Sequence, residues 1–206
     1  MVKSFLILVG GGTGSGKTTV AEEISKQGKK KNVLLISMDH YYKDLGYLDK
    51  ASREKTNFDN PNAIDWHLLK KDILDLLIGK TIKMPVYSFK THTRVGHKKM
   101  MPKKIIIIEG IFALYDLELN KISNLRLFVD TSPDLRFIRR LLRDIKERKR
   151  TVDSVVKQWL RTVKPMHDEF IESTKQNAHI IIPEDPEGGL RKIAVELIKT
   201  KIKSLV

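Results

Sequence analysis

Residues 7–20 read Ile-Leu-Val-Gly-Gly-Gly-Thr-Gly-Ser-Gly-Lys-Thr-Thr-Val, and this stretch decides the fold. The apolar run Ser4–Val9 stops at a glycine turn. Lys17–Gln27 then carries Val20, Ala21 and Ile24 at helical spacing, with Gly28 as its expected cap. Strand, glycine turn and helix are the setting of the phosphate-binding pattern G-x-x-x-x-G-K-[ST]. Gly11, Gly12, Thr13, Gly14, Ser15, Gly16, Lys17 and Thr18 match it, with Thr19 following. Glycines let backbone N–H groups turn inward onto phosphate oxygens, and the start of the helix adds its positive end. Lys17 is expected to reach the β- and γ-phosphates and Thr18 to ligate Mg²⁺ through its hydroxyl. A chance glycine loop would not bring both flanks with it. The turn is expected to hold a nucleoside triphosphate, ATP or GTP.

Outward from this turn, strands and helices alternate. Val33–Ser37, Lys104–Glu109, Leu125–Val129 and His179–Ile182 read as buried strands. Ile105–Ile108 is a run of four isoleucines that suits a central parallel strand covered on both faces. Helices are expected at Ile64–Ile78, closed by Gly79, and from Ser132-Pro133 to about Asp144. Further helices are expected over Thr151–Thr162 and Met166–Asn177, divided at Pro165, and over Leu190–Lys203. The pattern predicts one α/β domain over residues 1–206, a P-loop-type sheet of five parallel strands flanked by helices. A small β-ribbon is expected near residues 81–101, and a basic lid near residues 144–152.

Composition narrows the class. The 206 residues are 41% hydrophobic, enough for a core, and contain no cysteine, which excludes disulfides and thiolate metal sites. No apolar run approaches the roughly 20 residues of a membrane helix, and Met1–Val9 runs into the turn as a strand, not as a signal peptide. A cytoplasmic protein with no membrane partner is expected. The net charge of +14 allows three readings: small-nucleotide phosphates, nucleic acid, or a solvated lysine surface. Lys29–Lys31, Lys98–Lys99 and Lys103–Lys104 fit the surface reading.

The arginines cluster instead. Arg136, Arg140 and Arg143 share a helix face at i, i+4 and i+7, with Arg139 beside them and Arg148-Lys149-Arg150 just beyond. Such a group suits phosphoryl transfer, where cations neutralise the moving charge. The plain alternative is a solvated basic face paired with Asp144 and Glu147, most of all for Arg136 and Arg139. Two carboxylates end strands on the side where open α/β sheets bind ligands. Asp39, after Val33–Ser37, reads as the base that takes a proton from an acceptor hydroxyl. Glu109, after Ile105–Ile108, reads as a Mg²⁺ residue, directly or through water. The bland reading of each is a turn or cap carboxylate.

With these residues in view, the chain resembles the uridine kinases (uridine–cytidine kinases) of the phosphoribulokinase/uridine kinase group of P-loop kinases. Beyond the P-loop, the resemblance rests on seven segments. They are S-M-D-H-Y-Y-K-D-L (37–45), T-N-F-D-N-P-N-A-I-D (56–65), P-V-Y-S-F-K-T-H-T-R (85–94), I-I-E-G-I (107–111), F-V-D-T (128–131), R-R-L-L-R-D-I-K-E-R-K-R (139–150) and T-V-K-P-M-H (162–167). It implies a kinase acting on the ribose 5′-hydroxyl of uridine and cytidine, with Asp39 as base. It implies that Asp59 and Arg140 hold the ribose 2′- and 3′-hydroxyls and that Tyr87 and His92 read the pyrimidine edge. Phe58 and Phe89 would pack on the ring, and Tyr42 and Gln158 would line the pocket. Arg143, Arg148 and Arg150 would contact the ATP phosphates. A homo-oligomer, usually a tetramer, and no nucleic-acid partner are implied.

Some positions depart from that pattern. Lys149 stands where the family commonly has glycine, and Glu184–Leu190 is longer than usual and lacks an expected asparagine, on the adenine side. His40 and Tyr41 fill variable positions. Rival readings are another acceptor of the same group, such as phosphoribulose or pantothenate, a nucleic-acid-stimulated NTPase, or a regulator without turnover. Asp59, Tyr87 and His92 speak against the first, because a sugar phosphate would want more cations near the acceptor.

Overall fold

The computed structural model describes residues 4–26, 32–184 and 189–204. Its strands are β1 Phe5–Gly10, β2 Val33–Ser37, β3 Ile82–Ser88, β4 Thr93–Met100, β5 Ile105–Glu109, β6 Leu125–Asp130 and β7 Ile180–Pro183. Its helices are α1 Lys17–Ser25, α2 Lys50–Glu54, α3 Trp66–Leu77, α4 Leu117–Ile122, α5 Pro133–Lys146, α6 Val152–Gln158, α7 Lys164–Met166 and α8 Gly189–Lys203. Five strands pair in parallel in the order β2-β5-β1-β6-β7, and β3 and β4 form a separate antiparallel ribbon. This is the architecture expected from the sequence.

The sheet is buried on both faces. Leu6, Leu8, Ile106 and Ile108 point into one apolar cluster with α3, while Ile7, Val9, Ile105 and Ile107 point into a second with α1 and α8. Alternate residues of one strand thus serve two cores, which is why β1 and β5 are continuously apolar. Among the described residues, no helix is long and apolar enough to cross a membrane.

Several boundaries differ from expectation. Pro165 does not divide two helices: backbone turns run on from α6 through α7 to Asn177, with π-type turns at Trp159–Val163 and His167–Ile171 on either side of the proline. The wider turns accommodate a residue that lacks an N–H and would crowd a regular helix. α5 extends two residues past Asp144, and Ser132 gives it no side-chain cap. The expected cap Gly28 lies outside the described residues, as do residues 185–188 of the Glu184–Leu190 loop. α2 and α4 were not expected. Each starts at an aspartate, Asp49 or Asp116, whose carboxylate accepts from the backbone N–H three residues on.

Candidate active site

Strand register brings the site together. Val9 of β1 and Ser37 of β2 both lie level with Glu109, the last residue of β5. The P-loop leaves β1, and the Asp39 turn leaves β2, so both flank Glu109 at the carboxyl edge of the sheet. Asp39 sits in a single 3₁₀ turn, Met38–Tyr41, where the Ser37 hydroxyl oxygen accepts from its N–H at 3.4 Å.

The P-loop adopts left-handed conformations at Gly14 (φ 77°) and Gly16 (φ 87°). A Cβ on Gly14 would lie 2.4 Å from the backbone oxygen of Arg136, so the loop is seated directly on α5. The Thr131 hydroxyl, at the end of β6, donates to the Ser15 carbonyl at 3.0 Å. Ser15 itself is buried with its Oγ unpartnered, and Gly11 and Gly12 are buried against the Val129 carbonyl and the Arg136 side chain. Thr19 is exposed on α1.

The residues present fit a nucleotide with a hard divalent cation. The Thr18 hydroxyl donates to Glu109 Oε2 at 3.0 Å, which sets a hydroxyl and a carboxylate oxygen side by side, a donor set suited to Mg²⁺. Burial lowers the pKa of Lys17, opposed by Glu109 and Asp39. Burial, then the neighbouring Glu109 charge, raises the Asp39 carboxyl above its ordinary value, with Lys17 opposing.

A cleft of about 740 Å³ opens beside these groups. Thr13, Lys17, Thr18, Asp39 and Glu109 line one end. Tyr42, Phe58, Asp59, Phe89 and His92 line the other, and Arg140, Arg143, Arg148, Arg150 and Gln158 close one side. Glu54, Thr56, Lys90 and Ile111 also line it, and the sequence offered no signal for them. Tyr87 stands behind the wall, its ring 5.3 Å from Tyr42 and 5.5 Å from Phe89, with its buried hydroxyl unpartnered.

The acceptor end is an aromatic box with polar edges. The His92 ring stacks on Phe58 at 4.7 Å and 15°, and its Nδ1 is buried without a partner. His92 holds a left-handed backbone (φ 53°), fixed by its N–H donating to the Ser88 carbonyl at 2.8 Å. Burial lowers its pKa, which favours the neutral ring. The Tyr42 hydroxyl donates to the Phe58 carbonyl at 3.1 Å. Two arginines tie the ribbon down: Arg53 of α2 donates to the Thr91 carbonyl at 2.7 Å, and Arg94 to Asp65 at 3.0 Å and to the Tyr42 carbonyl at 3.1 Å. Sequence reasoning gave neither a role.

Arg140 links the two ends. It lies 3.8 Å from Asp59 and donates to the Thr13 hydroxyl oxygen at 3.2 Å and to Gln158 Oε1 at 3.1 Å. Burial raises the Asp59 pKa, against the pull of Arg140.

The basic face is organised around a buried acid. Asp144 is fully buried, and Arg140 (3.6 Å), Arg143 (2.9 Å), Arg148 (3.6 Å) and Arg150 (3.5 Å) converge on its carboxylate. Arg150 also donates to Gln158 and Ser154, and Arg148 lies over the Phe89 ring at 5.1 Å. Arg136 is buried as well, whereas Arg139 meets Glu184 at 2.7 Å near the surface. One internal carboxylate therefore gathers the arginines around the cleft.

Known proteins place this arrangement. The sequence profile of the Phosphoribulokinase / Uridine kinase family matches residues 6–190. The uridine kinase of Clostridium novyi (strain NT) is 49% identical over 207 residues, covering 100% of this chain and 98% of that protein. That of Halalkalibacterium halodurans is 47% identical over 205 residues, covering 99% and 96%. Among solved structures, phosphoribulokinase from Rhodobacter spheroides superposes with a TM-score of 0.63 at 15% identity, covering 89% of this chain and 71% of that one. D-glycerate 3-kinase from Cryptococcus neoformans gives 0.61 at 13%, covering 82% and 80%. These distant structures share the fold; the sequence match is what carries membership. The chain belongs to the phosphoribulokinase/uridine kinase family.

Proposed function

We propose that this chain is a nucleoside kinase that transfers the γ-phosphate of ATP or GTP to the 5′-hydroxyl of uridine and cytidine, giving UMP and CMP. The observation that carries the reading is the position of Asp39. It lies in one cleft between a phosphate-binding loop with Lys17 and Thr18 and a pocket that offers a carboxylate, a guanidinium and aromatic rings. The uridine kinases that match over nearly the whole chain support the same substrate class.

The chemistry follows from the residues. Asp59 and Arg140 present an acceptor and a donor to a vicinal diol, a pairing that a deoxyribose would leave unsatisfied. His92, which lines the cleft, offers a ring nitrogen to the base edge, and Tyr87, the second reader by resemblance, backs the same wall with its hydroxyl unpartnered. Asp39 accepts the 5′-hydroxyl proton as that oxygen bonds to the γ-phosphorus and the bond to the nucleoside diphosphate breaks. Its raised pKa makes it a better proton acceptor than a free carboxylate. Lys17 and Arg143, with Arg148 and Arg150 of the basic segment acting as a lid, hold the charge on the transferring group. Thr18 and Glu109 would hold Mg²⁺, which when bound neutralises phosphate charge. The same reading takes the assembly as a homo-oligomer, a tetramer by resemblance, in the cytoplasm.

The test is release of nucleoside diphosphate from Mg·ATP with uridine, cytidine, deoxyuridine, adenosine, phosphoribulose, pantothenate or no acceptor. Turnover confined to uridine and cytidine is expected; turnover without an acceptor, or with a sugar phosphate, overturns the reading. Asp39→Asn should abolish turnover while uridine still binds in calorimetry. A near-normal rate would remove Asp39 as the base.

A further inference from the structure

Arg136 is buried to 3% exposure in the first turn of α5, where the helix dipole opposes a cation. Among the described residues no carboxylate pairs with it, and the carboxylates that act on its charge, Glu172, Asp168 and Asp130, do so from a distance. Its Nε donates to the Thr131 carbonyl at 3.1 Å and its guanidinium lies 5.6 Å from the Trp159 ring centre. Its Nη1 is buried with no partner. That Nη1 lies 2.5 Å from where a Cβ on Gly12 would stand, so the group presses on the back of the P-loop. Thr131, which accepts from it, in turn donates to Ser15 of the same loop.

A buried cation without a counter-ion is costly to a fold. Of the other arginines of α5, Arg140 and Arg143 share Asp144 and Arg139 meets Glu184; Arg136 lies against the loop instead. Here the missing counter-charge lies on the far side of one layer of backbone, where the loop would receive phosphates. We infer that Arg136 is a positioning cation behind the P-loop, whose buried charge strengthens the loop's hold on a polyphosphate that it does not touch. The inference rests on the proposed reading that the loop binds a nucleoside triphosphate. It gives a use to a buried guanidinium that lacks a paired carboxylate among the described residues.

Calorimetry with Mg·ATP, inorganic tripolyphosphate and uridine, on the wild type, Arg136→Met and Arg136→Lys, tests it together with melting of each ligand-free chain. Arg136→Met should bind ATP and tripolyphosphate about tenfold more weakly, the scale of a unit charge acting across roughly 10 Å of protein. It should bind uridine unchanged and melt no lower than the wild type without ligand. Arg136→Lys should keep most of the phosphate affinity. Equal phosphate affinity in Arg136→Met overturns the inference and leaves the kinase reading standing. So does a Met variant that fails to fold, or that loses uridine binding and melting temperature together, because Arg136 would then be an ordinary brace. A Lys variant as weak as Met also overturns it, since charge would not be the agent. A wild type that binds neither phosphate ligand sinks the kinase reading, and this inference with it.

Discussion

At the scale of single residues, the site shows its purpose in groups that are badly served without ligand. The Tyr87 hydroxyl and His92 Nδ1 are buried and unpartnered. Each such group costs about 1–3 kcal/mol that a hydrogen bond from a bound base could offset. Tyr87→Phe should therefore raise the KM for uridine by about tenfold, a loss of roughly 1.4 kcal/mol, without lowering the melting temperature of the free chain. A drop in stability with KM unchanged would make the hydroxyl structural. His92→Ala should weaken selection of pyrimidine over purine nucleosides by roughly 1–3 kcal/mol, read as the ratio of kcat/KM values.

Asp39 follows the same logic with a definite sign. Burial and Glu109 raise its pKa, so the native chain holds that proton more tightly than the unfolded chain. The stability this gives is present below the ordinary carboxylate pKa and is lost as pH rises through the folded value. At neutral pH the ionised Asp39 is thus a burden on the free fold. NMR titration of the ligand-free protein should show the Asp39 carboxyl above the usual range, and Glu109→Gln should move it back down. An Asp39 titration indifferent to Glu109 would separate the two carboxylates.

At the scale of elements, the turn after α5 carries Arg148 and Arg150, which line the cleft. Lys149 stands there with φ 55°, in the left-handed region that favours glycine. A lysine tolerates this at a cost of about 1 kcal/mol, a β-branched residue at more. Lys149→Gly should keep kcat and stability close to the wild type. Lys149→Val should lower kcat, because the turn that aims Arg148 and Arg150 at Asp144 must refold. Equal rates for the two variants would show that the geometry of this turn is immaterial.

The strands, the P-loop, α3 and the ribbon were legible because each combines a strong apolar period with a clear stop. What escaped notice lacked that contrast. α2 buries no side chain, so its only local mark was the aspartate that caps it. The run through Pro165 defied a rule that holds for regular helices and not for π-type turns. Within the site, Thr13, Lys17, Thr18, Asp39, Asp59, His92 and Arg140 line one cleft, whereas Tyr87 stands behind its wall. The enclosure of Asp144 is not legible in the sequence, because a lone acid among arginines reads the same whether it is solvated or buried. Only the packing of α5 against α6 shows it to be internal.

At the scale of the whole molecule, the charge of +14 divides into two populations. Lys98 and Lys99 lie exposed on β4, whereas Arg136, Arg140, Arg143 and Arg150 are turned inward or toward the cleft. A nucleic-acid strand needs cations arrayed along an open path, with stacking platforms in reach. Here the aromatic platforms sit inside a cleft of about 740 Å³, the size of a small-molecule site. The lysine surface can attract RNA only through counterion release, an attachment that weakens steeply between about 50 and 200 mM salt and has no route to Asp39. Uridine turnover should therefore stay constant as single-stranded RNA is added at either salt concentration, and ATP hydrolysis without uridine should stay at background. Stimulation of hydrolysis by RNA, lost at the higher salt, would mean that the exposed lysines and not the inward arginines define the working surface.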